Sequence, residues 1–385
     1  MIQQVSSMSQ SATAIYVHIP FCSRKCGYCD FNAYSGYKEG TKTRYVEALC
    51  REIEAAGDGS QIQTIFFGGG TPTNLAASEL TRILTTLRSH FVIAADAEIS
   101  LEANPSDADQ GYLEALRYAG FNRISFGVQT FNNRLLKLID REHSGEVARR
   151  ALEQARAAGF DNVSLDLMFG LPRQTISDFE RTLDTALALE IPHLSIYGLI
   201  VEEGTPFFAR RERGKLPLPA ESAEATMFSK ALEKTREAGL TRYEISNYAR
   251  SGYACRHNRV YWRNEPYFGL GAGATGYLNG ARQVNIRRPS AYIEAALLGK
   301  ELAVETEQLT LEETMGETMM LGLRLAEGIA LDDFAERFGV RAEAHWAQTI
   351  ATLTTQGLLE RTPTHLRLTD PKGLFLASEA MAKFI

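Results

Sequence analysis

The chain has 385 residues, a formal net charge of −6 and five cysteines. With 44% hydrophobic and 23% charged residues it can bury an ordinary core, so global disorder is excluded. Its acidic balance argues against nonspecific nucleic-acid binding, which needs a basic surface. No run approaches the roughly 18 apolar residues that span a bilayer.

The first residues, MIQQVSSMSQSAT, are polar and no basic residue precedes Arg24. They fit neither a signal peptide nor an Arg-rich transit peptide, and residues 1–13 are expected to be a disordered tail. Three of the cysteines lie within eight residues, which suits a metal site in a reducing cytoplasm better than a disulfide scaffold.

From Ile15 to about Tyr197, short apolar runs alternate with amphipathic stretches. Strands are expected at Ile15–Ile19, Thr64–Phe67, Glu98–Ala103, Arg123–Gly127, Asn162–Leu167 and His193–Gly198. Helices are expected at Arg44–Ala56, Ser78–Leu87, Gly111–Ala119, Ser144–Ala158 and Ser177–Leu189. Strand–helix alternation implies an α/β fold with a parallel sheet and right-handed crossovers. Six units fall short of a closed eight-fold barrel. A partial, open (β/α)6 barrel over residues 14–245 is expected, with its chemistry at the C-terminal strand ends.

Beyond it the alternation stops. A helix is expected over Ala220–Ala238, then a connecting segment, 246–290, with a loop rich in Gly and aromatics over roughly Asn247–Gly280. Helices at Glu312–Leu325, Leu331–Phe338 and Glu343–Gln356, with a hairpin around Pro363, suggest a smaller, mainly helical, winged-helix-like module over residues 291–385. From Glu301 onward there are 14 acidic and 7 basic residues, so DNA reading is not its expected task.

The strongest motif is Cys22-Ser-Arg-Lys-Cys26-Gly-Tyr-Cys29. Soft thiolates bind iron–sulfur clusters or zinc. A structural zinc site needs four ligands and this run offers three. On a cubane, three thiolates leave one iron open to a small molecule. Gly68-Gly69-Gly70-Thr71-Pro72 follows the second strand, and such glycines let a ligand approach the backbone.

Together these motifs resemble those of radical S-adenosylmethionine (SAM) proteins. The resemblance implies a [4Fe–4S] cluster on Cys22, Cys26 and Cys29, with SAM chelating the open iron and its amino group received by Gly68, Gly69, Gly70 and Thr71. Glu102, Gln129, Arg141 and Asp166 resemble further SAM-contacting positions. A carboxylate suits the ribose hydroxyls, and Arg141 suits SAM's carboxylate. Tyr16 matches a tyrosine that packs on cluster and SAM, and Tyr28 is a candidate adenine contact.

The stretches Tyr16-Val-His-Ile-Pro-Phe-Cys22, Asn122-Arg-Ile-Ser-Phe-Gly-Val-Gln129 and Tyr243-Glu-Ile-Ser-Asn-Tyr248 resemble one branch. It holds oxygen-independent coproporphyrinogen III oxidase and the HemW-type haem chaperones. The oxidase motif continues as C-x3-C-x2-C-x-C, and here Phe31 occupies the last position. Cys255-Arg-His257-Asn258-Arg-Val-Tyr261-Trp262 resembles the H-N-x-x-Y-W element of the chaperones. The resemblance thus implies haem as a third ligand and an unidentified acceptor protein as partner, with oxidative decarboxylation of coproporphyrinogen to protoporphyrinogen as the alternative reading. His257 or Cys255 could ligate iron, and Tyr261 and Trp262 offer flat apolar area. The alternative reading is that His257 and Asn258 tie a loop to the barrel, with Trp262 in the core.

Overall fold

In a computed structural model, residues 11–385 are described. Residues 1–10, most of the expected tail, lie outside the described residues. The tail was expected to reach residue 13, but Ala12 is buried and the Thr13 carbonyl accepts from the N–H groups of Gln63 and Thr64. Those residues belong to the packed structure.

The six expected strands are β1 (Ala14–Ile19), β2 (Gln61–Gly69), β3 (Val92–Ala103), β4 (Arg123–Gln129), β5 (Asn162–Phe169) and β6 (His193–Gly198). Each pairs parallel with the next. Their crossovers carry α1 (Glu39–Ala56), α2 (Ala77–His90), α3 (Gln110–Ala119), α4 (Asn133–Leu138), α5 (Gly145–Ala157) and α6 (Ile176–Ala188). Helix starts are set by side chains that satisfy free N–H groups: Asp109 caps α3, Ser144 caps α5, and Thr175 with Asp178 forms a capping box on α6. Apolar faces of helices and strands merge into one core that includes Ile15, Phe67, Leu101, Phe126, Leu165 and Leu194.

After β6 come α7 (Pro206–Glu212) and α8 (Glu221–Glu237), then β7 (Thr241–Arg242), β8 (Asn247–Ala249), α9 (Arg256–Trp262), β9 (Tyr267–Leu270), β10 (Thr275–Leu278), β11 (Ala281–Asn285), α10 (Pro289–Leu297) and β12 (Ala303–Gln308). The segment 246–290, with its expected loop over Asn247–Gly280, therefore builds much of the sheet. β8 adds antiparallel to β6, while β9 adds parallel to β1, so one segment extends both sides of the barrel. The sheet has twelve strands in the order β12-β11-β10-β9-β1-β2-β3-β4-β5-β6-β8-β7. Its glycines conceal this from periodicity: an added Cβ at Gly269 would sit 2.2 Å from the Thr275 carbonyl oxygen, so two backbones approach where side chains would signal a strand.

A second core holds Met315, Leu331, Phe334, Leu353, Leu366 and Phe384. It is built on α11 (Leu311–Gly322), β13 (Ile329–Ala330), α12 (Leu331–Phe338), α13 (Ala342–His345), α14 (Ala347–Thr355), β14 (Leu359–Arg361), β15 (His365–Leu368), α15 (Lys372–Phe375) and α16 (Ala377–Met381). The expected helix 343–356 is two helices broken at Trp346. The hairpin is present, and β13 makes it a three-stranded sheet. The expected boundary at 291 shifts. Tyr292 and Ile293 belong to the main core and β12 to the main sheet, so the second core begins near α11.

One buried acid ties the late strands to α1. The Glu52 carboxylate accepts from Gly271 N (2.7 Å), Asn285 Nδ2 (2.6 Å) and the Tyr292 hydroxyl. Burial pushes its pKa up from 4.5 to about 7 against these bonds. A carboxyl raised in the folded state contributes stability that is full below its unfolded value and lost as pH rises through the folded one. Wild-type stability should therefore carry a downward term between pH 4.5 and about 7. Glu52→Gln, which cannot ionise, should flatten that part of the profile in denaturant melts across the range.

Candidate functional site

The chemistry-bearing residues gather at the C-terminal ends of β1 to β5, because parallel strands present those ends on one rim. The cysteine loop leaves β1. Cys22 N donates to Tyr34 O (2.9 Å) and Cys29 N to Cys26 O (3.2 Å), so the loop folds on itself. Cys22 Sγ lies 3.4 Å from Thr71 Oγ1, and Thr71 N donates to Phe21 O (2.8 Å), joining the loop to the glycine segment. A Cβ at Gly70 would meet Phe21 O at 2.7 Å, and Gly69 has φ +112° with the His18 ring 2.5 Å from an added Cβ. Both positions require glycine.

Around this loop stand the other expected residues. Glu102, near the end of β3, accepts from Gly69 N (3.2 Å). Asp166 accepts from Ser125 Oγ (2.9 Å). Burial, then the neighbouring Asp166, pushes Glu102 up to about 8. Gln129 closes β4 with φ +65°, an uncommon value for a residue with a side chain. Tyr16 lies deeper: its hydroxyl meets His18 Nδ1 (2.9 Å), and its ring stacks on Phe66 at 6.5 Å. Tyr28 packs on Phe207 (ring centroids 6.2 Å).

All five cysteines are free. Among the described residues no group of three or more His, Cys, Asp or Glu converges on a single metal ion. Three soft thiols on one short loop are a donor set that fits an iron–sulfur cluster, which offers each thiolate a separate iron. Burial raises the Cys22 thiol and takes Cys29 to about 11, so occupation must displace protons. Arg141 fits an anionic ligand at this place. Its Nη1 lies 3.7 Å from Cys26 Sγ, its Nη2 donates to Gly127 O, and its buried Nε has no partner.

Sequence reasoning missed what holds the loop from outside. α7 lies against it: Phe207 N donates to Gly27 O (2.9 Å), and the fully buried Phe207 ring fills the space where a Gly27 side chain would stand. Asp140 lies between Arg24 (3.3 Å) and Arg210 (3.9 Å). Only Pro206, at the helix start, was legible as a signal.

The H-N-x-x-Y-W segment lies elsewhere. α9 crosses inside the barrel at the opposite end of the strands. Its N-terminal N–H groups, from Arg256 (3.0 Å) and His257 (3.2 Å), donate to the Glu98 carboxylate. His257 is fully buried, with Nδ1 2.8 Å from Thr64 Oγ1 and Nε2 2.8 Å from the Tyr261 hydroxyl. Cys255 is fully buried with Sγ 3.3 Å from Glu98. In this structure both are buried and engaged with barrel groups, His257 with Thr64 and Tyr261 and Cys255 with Glu98. Asn258 follows in the first turn of α9. Tyr261 and Trp262 line a cleft against α11, with the Tyr261 hydroxyl turned back to His257.

An open barrel of parallel strands with three thiols and a glycine cradle at its rim defines an iron–sulfur protein of the SAM-binding type. The family model of the Radical SAM superfamily matches residues 16–186, and that of the HemN C-terminal domain matches 309–376. "Heme chaperone HemW" of Bacillus subtilis is 39% identical over 96% of this chain and 98% of its own length. The protein of the same name from Escherichia coli is 34% identical over 95% and 96%. The chain belongs to the radical SAM superfamily, in the family of these HemW proteins. In fold it is similar to E. coli coproporphyrinogen III oxidase, with TM-score 0.86 and 24% identity, covering 98% of this chain and 91% of that one. No helix among the described residues is long and apolar enough to cross a membrane.

Two outcomes are expected. Phe207→Ala should destabilise the protein by about 3–5 kcal/mol, the usual range for emptying a buried Phe site. It should also speed iron loss to a chelator, read by absorbance. Glu102→Gln should weaken SAM binding to the cluster-loaded protein about ten-fold, roughly 1.4 kcal/mol, by calorimetry. An unchanged titration would remove Glu102 from the SAM site.

Proposed function

We propose that this chain is a cytoplasmic haem chaperone: it holds a [4Fe–4S] cluster and SAM at the barrel rim, binds haem, and passes the haem to an acceptor protein. The observation that carries this reading is the relationship to HemW chaperones along nearly the whole chain. The likeness to the oxidase, at 24% identity, supports the fold alone. Phe31 agrees, because it stands 64% exposed where the oxidase-type motif has its fourth cysteine.

In this reading Cys22, Cys26 and Cys29 hold the cluster, which when bound supplies an open iron and one-electron chemistry. The backbone of Gly68–Gly70 meets SAM's amino group. Glu102 and Asp166 face its ribose, with Gln129 beside them. Arg141 offers its cation to the SAM carboxylate, next to thiolates whose charge it also offsets. Tyr16 and Tyr28 wall the site. Five free cysteines suit a reducing compartment.

The test is anaerobic reconstitution followed by haem titration with and without SAM. A near-stoichiometric Soret band is expected, and it should survive in the Cys22, Cys26 and Cys29→Ala triple variant, placing haem apart from the cluster. No release of carbon dioxide from coproporphyrinogen is expected with SAM and a reductant. Release of carbon dioxide, with no haem uptake, would make the protein an oxidase instead.

A further inference from the structure

Between β4 and α5 the chain makes one excursion at the rim that carries two of the expected SAM contacts. Gln129 opens it and Arg141 stands near its end. Their side chains meet over Gly127. A Cβ added there would lie 2.8 Å from Arg141 Nη2 and 3.1 Å from Gln129 Nε2. Carboxamide and guanidinium therefore form one polar surface, and its shape depends on how the two ends of the excursion are tied.

His143 ties them. β4 pairs with β5 through Gly127 and again through Gln129, with a register shift between, so Val128 is the extra residue of a bulge. Bulges re-aim the side chains beside them. The Val128 carbonyl accepts from Thr130 N (2.8 Å), closing the tight turn that sets Gln129 at φ +65°. His143 Nε2 donates to the same oxygen (3.1 Å). A carbonyl only accepts, so the ring carries its proton on Nε2 and leaves Nδ1 as a bare acceptor. Nδ1 is buried and has no partner among the described residues. Burial, then the Arg141 charge, brings the pKa down to about 4, so the ring is neutral. An unpaired buried acceptor costs stability. A histidine chosen only to strengthen the fold would not leave one. The excursion is also closed independently farther along, where Gly145 N donates to Asn133 Oδ1 (2.9 Å) and a Cβ at Gly145 would stand 2.4 Å from Phe131 O.

Resting on the reading of the rim as the SAM site, we propose that His143 is the positioning residue for Gln129: by holding the Val128 carbonyl it fixes the bulge that aims the carboxamide at SAM, beside Arg141. It acts through the backbone and needs no contact with SAM itself.

The test compares two substitutions of similar shape, His143→Gln, which keeps an N–H donor, and His143→Met, which has none. Full-length, cluster-reconstituted protein is titrated with SAM by calorimetry, and electron paramagnetic resonance follows the reduced cluster during the titration. His143→Met should bind SAM about ten-fold more weakly, the scale of one hydrogen bond. Its cluster signal should change only at correspondingly higher SAM, with iron content and thermal melt as in wild type. His143→Gln should recover the affinity to within about three-fold. In a Gln129→Ala background, His143→Met should add no more than about two-fold, because the group it acts through is gone. Wild-type affinity in His143→Met, equal weakening in His143→Gln, or an undiminished effect in the Gln129→Ala background would overturn the proposal. So would loss of the cluster or of the melt in His143→Met, which would make the bond a structural tie. All four leave the SAM site itself standing. A wild type that binds no SAM would overturn that reading as well.

Discussion

The Glu98 carboxylate, accepting the first N–H groups of α9, is the contact on which much of this architecture turns. A helix N-terminus carries partial positive charge and unpaired N–H donors, and a buried acid satisfies both. Here the acid belongs to β3 and the helix runs through the barrel interior. That places α9 across the strand ends opposite the cluster loop. It also sends the chain from β8 on one side of the barrel to β9 on the other, so a seventh parallel strand joins β1. The barrel remains open, but its floor is closed by side chains: His257 stacks on Phe66, which in turn stacks on Tyr16.

Two regions of different chemistry result. The rim is acidic and glycine-lined, with a cation, Arg141, set among thiols. The cleft against α11 is aromatic, and its single guanidinium is balanced by Glu317. They are joined through Tyr16, which carries the hydrogen bond to His18. His18 Nε2 in turn bonds the Asn32 carbonyl, just beyond the cysteine loop (2.9 Å). Asn32 Nδ2 donates to Ala272 O (2.9 Å) and Arg287 O (3.0 Å), so the loop rests on the turn that Glu52 also anchors. The rim is thus held from within by buried polar bonds and from outside by Phe207. Such fully engaged buried groups favour one geometry, because losing any partner strands the other.

The buried charges of the interior show the same logic. Arg123 is 2% exposed, and Glu98, Asp166 and Tyr243 are among the groups whose charge favours its cationic form. An isolated charge there would be prohibitive, and the acids around it make it tolerable. Nothing in the local sequence around Arg123 announces this, since Asn-Arg-Ile-Ser reads as the start of a strand at the surface. Its partners lie on other strands and are brought together only by the parallel register.

What the sequence alone determined is what local physics encodes. Six alternating strands and helices were legible because burial of one face imposes a period. The cysteine loop and glycine cradle were legible because ligand chemistry demands those residue types at short spacing. The rim residues Glu102, Gln129, Arg141 and Asp166 came from resemblance, and the structure places them at neighbouring strand ends. What only the tertiary structure decided concerns long-range pairing. Residues 246–290 have too many glycines and too few apolar alternations to look like strands, yet pairing with β1 and β6 makes them so. His257, Asn258 and Tyr261 are spaced like a ligand set, but spacing carries no information about which way a helix faces. The barrel interior takes the imidazole, and the surface keeps Trp262. Arg282 and Glu317 become neighbours only because β9, β10 and β11 fold back beside α11, a contact no local pattern can specify.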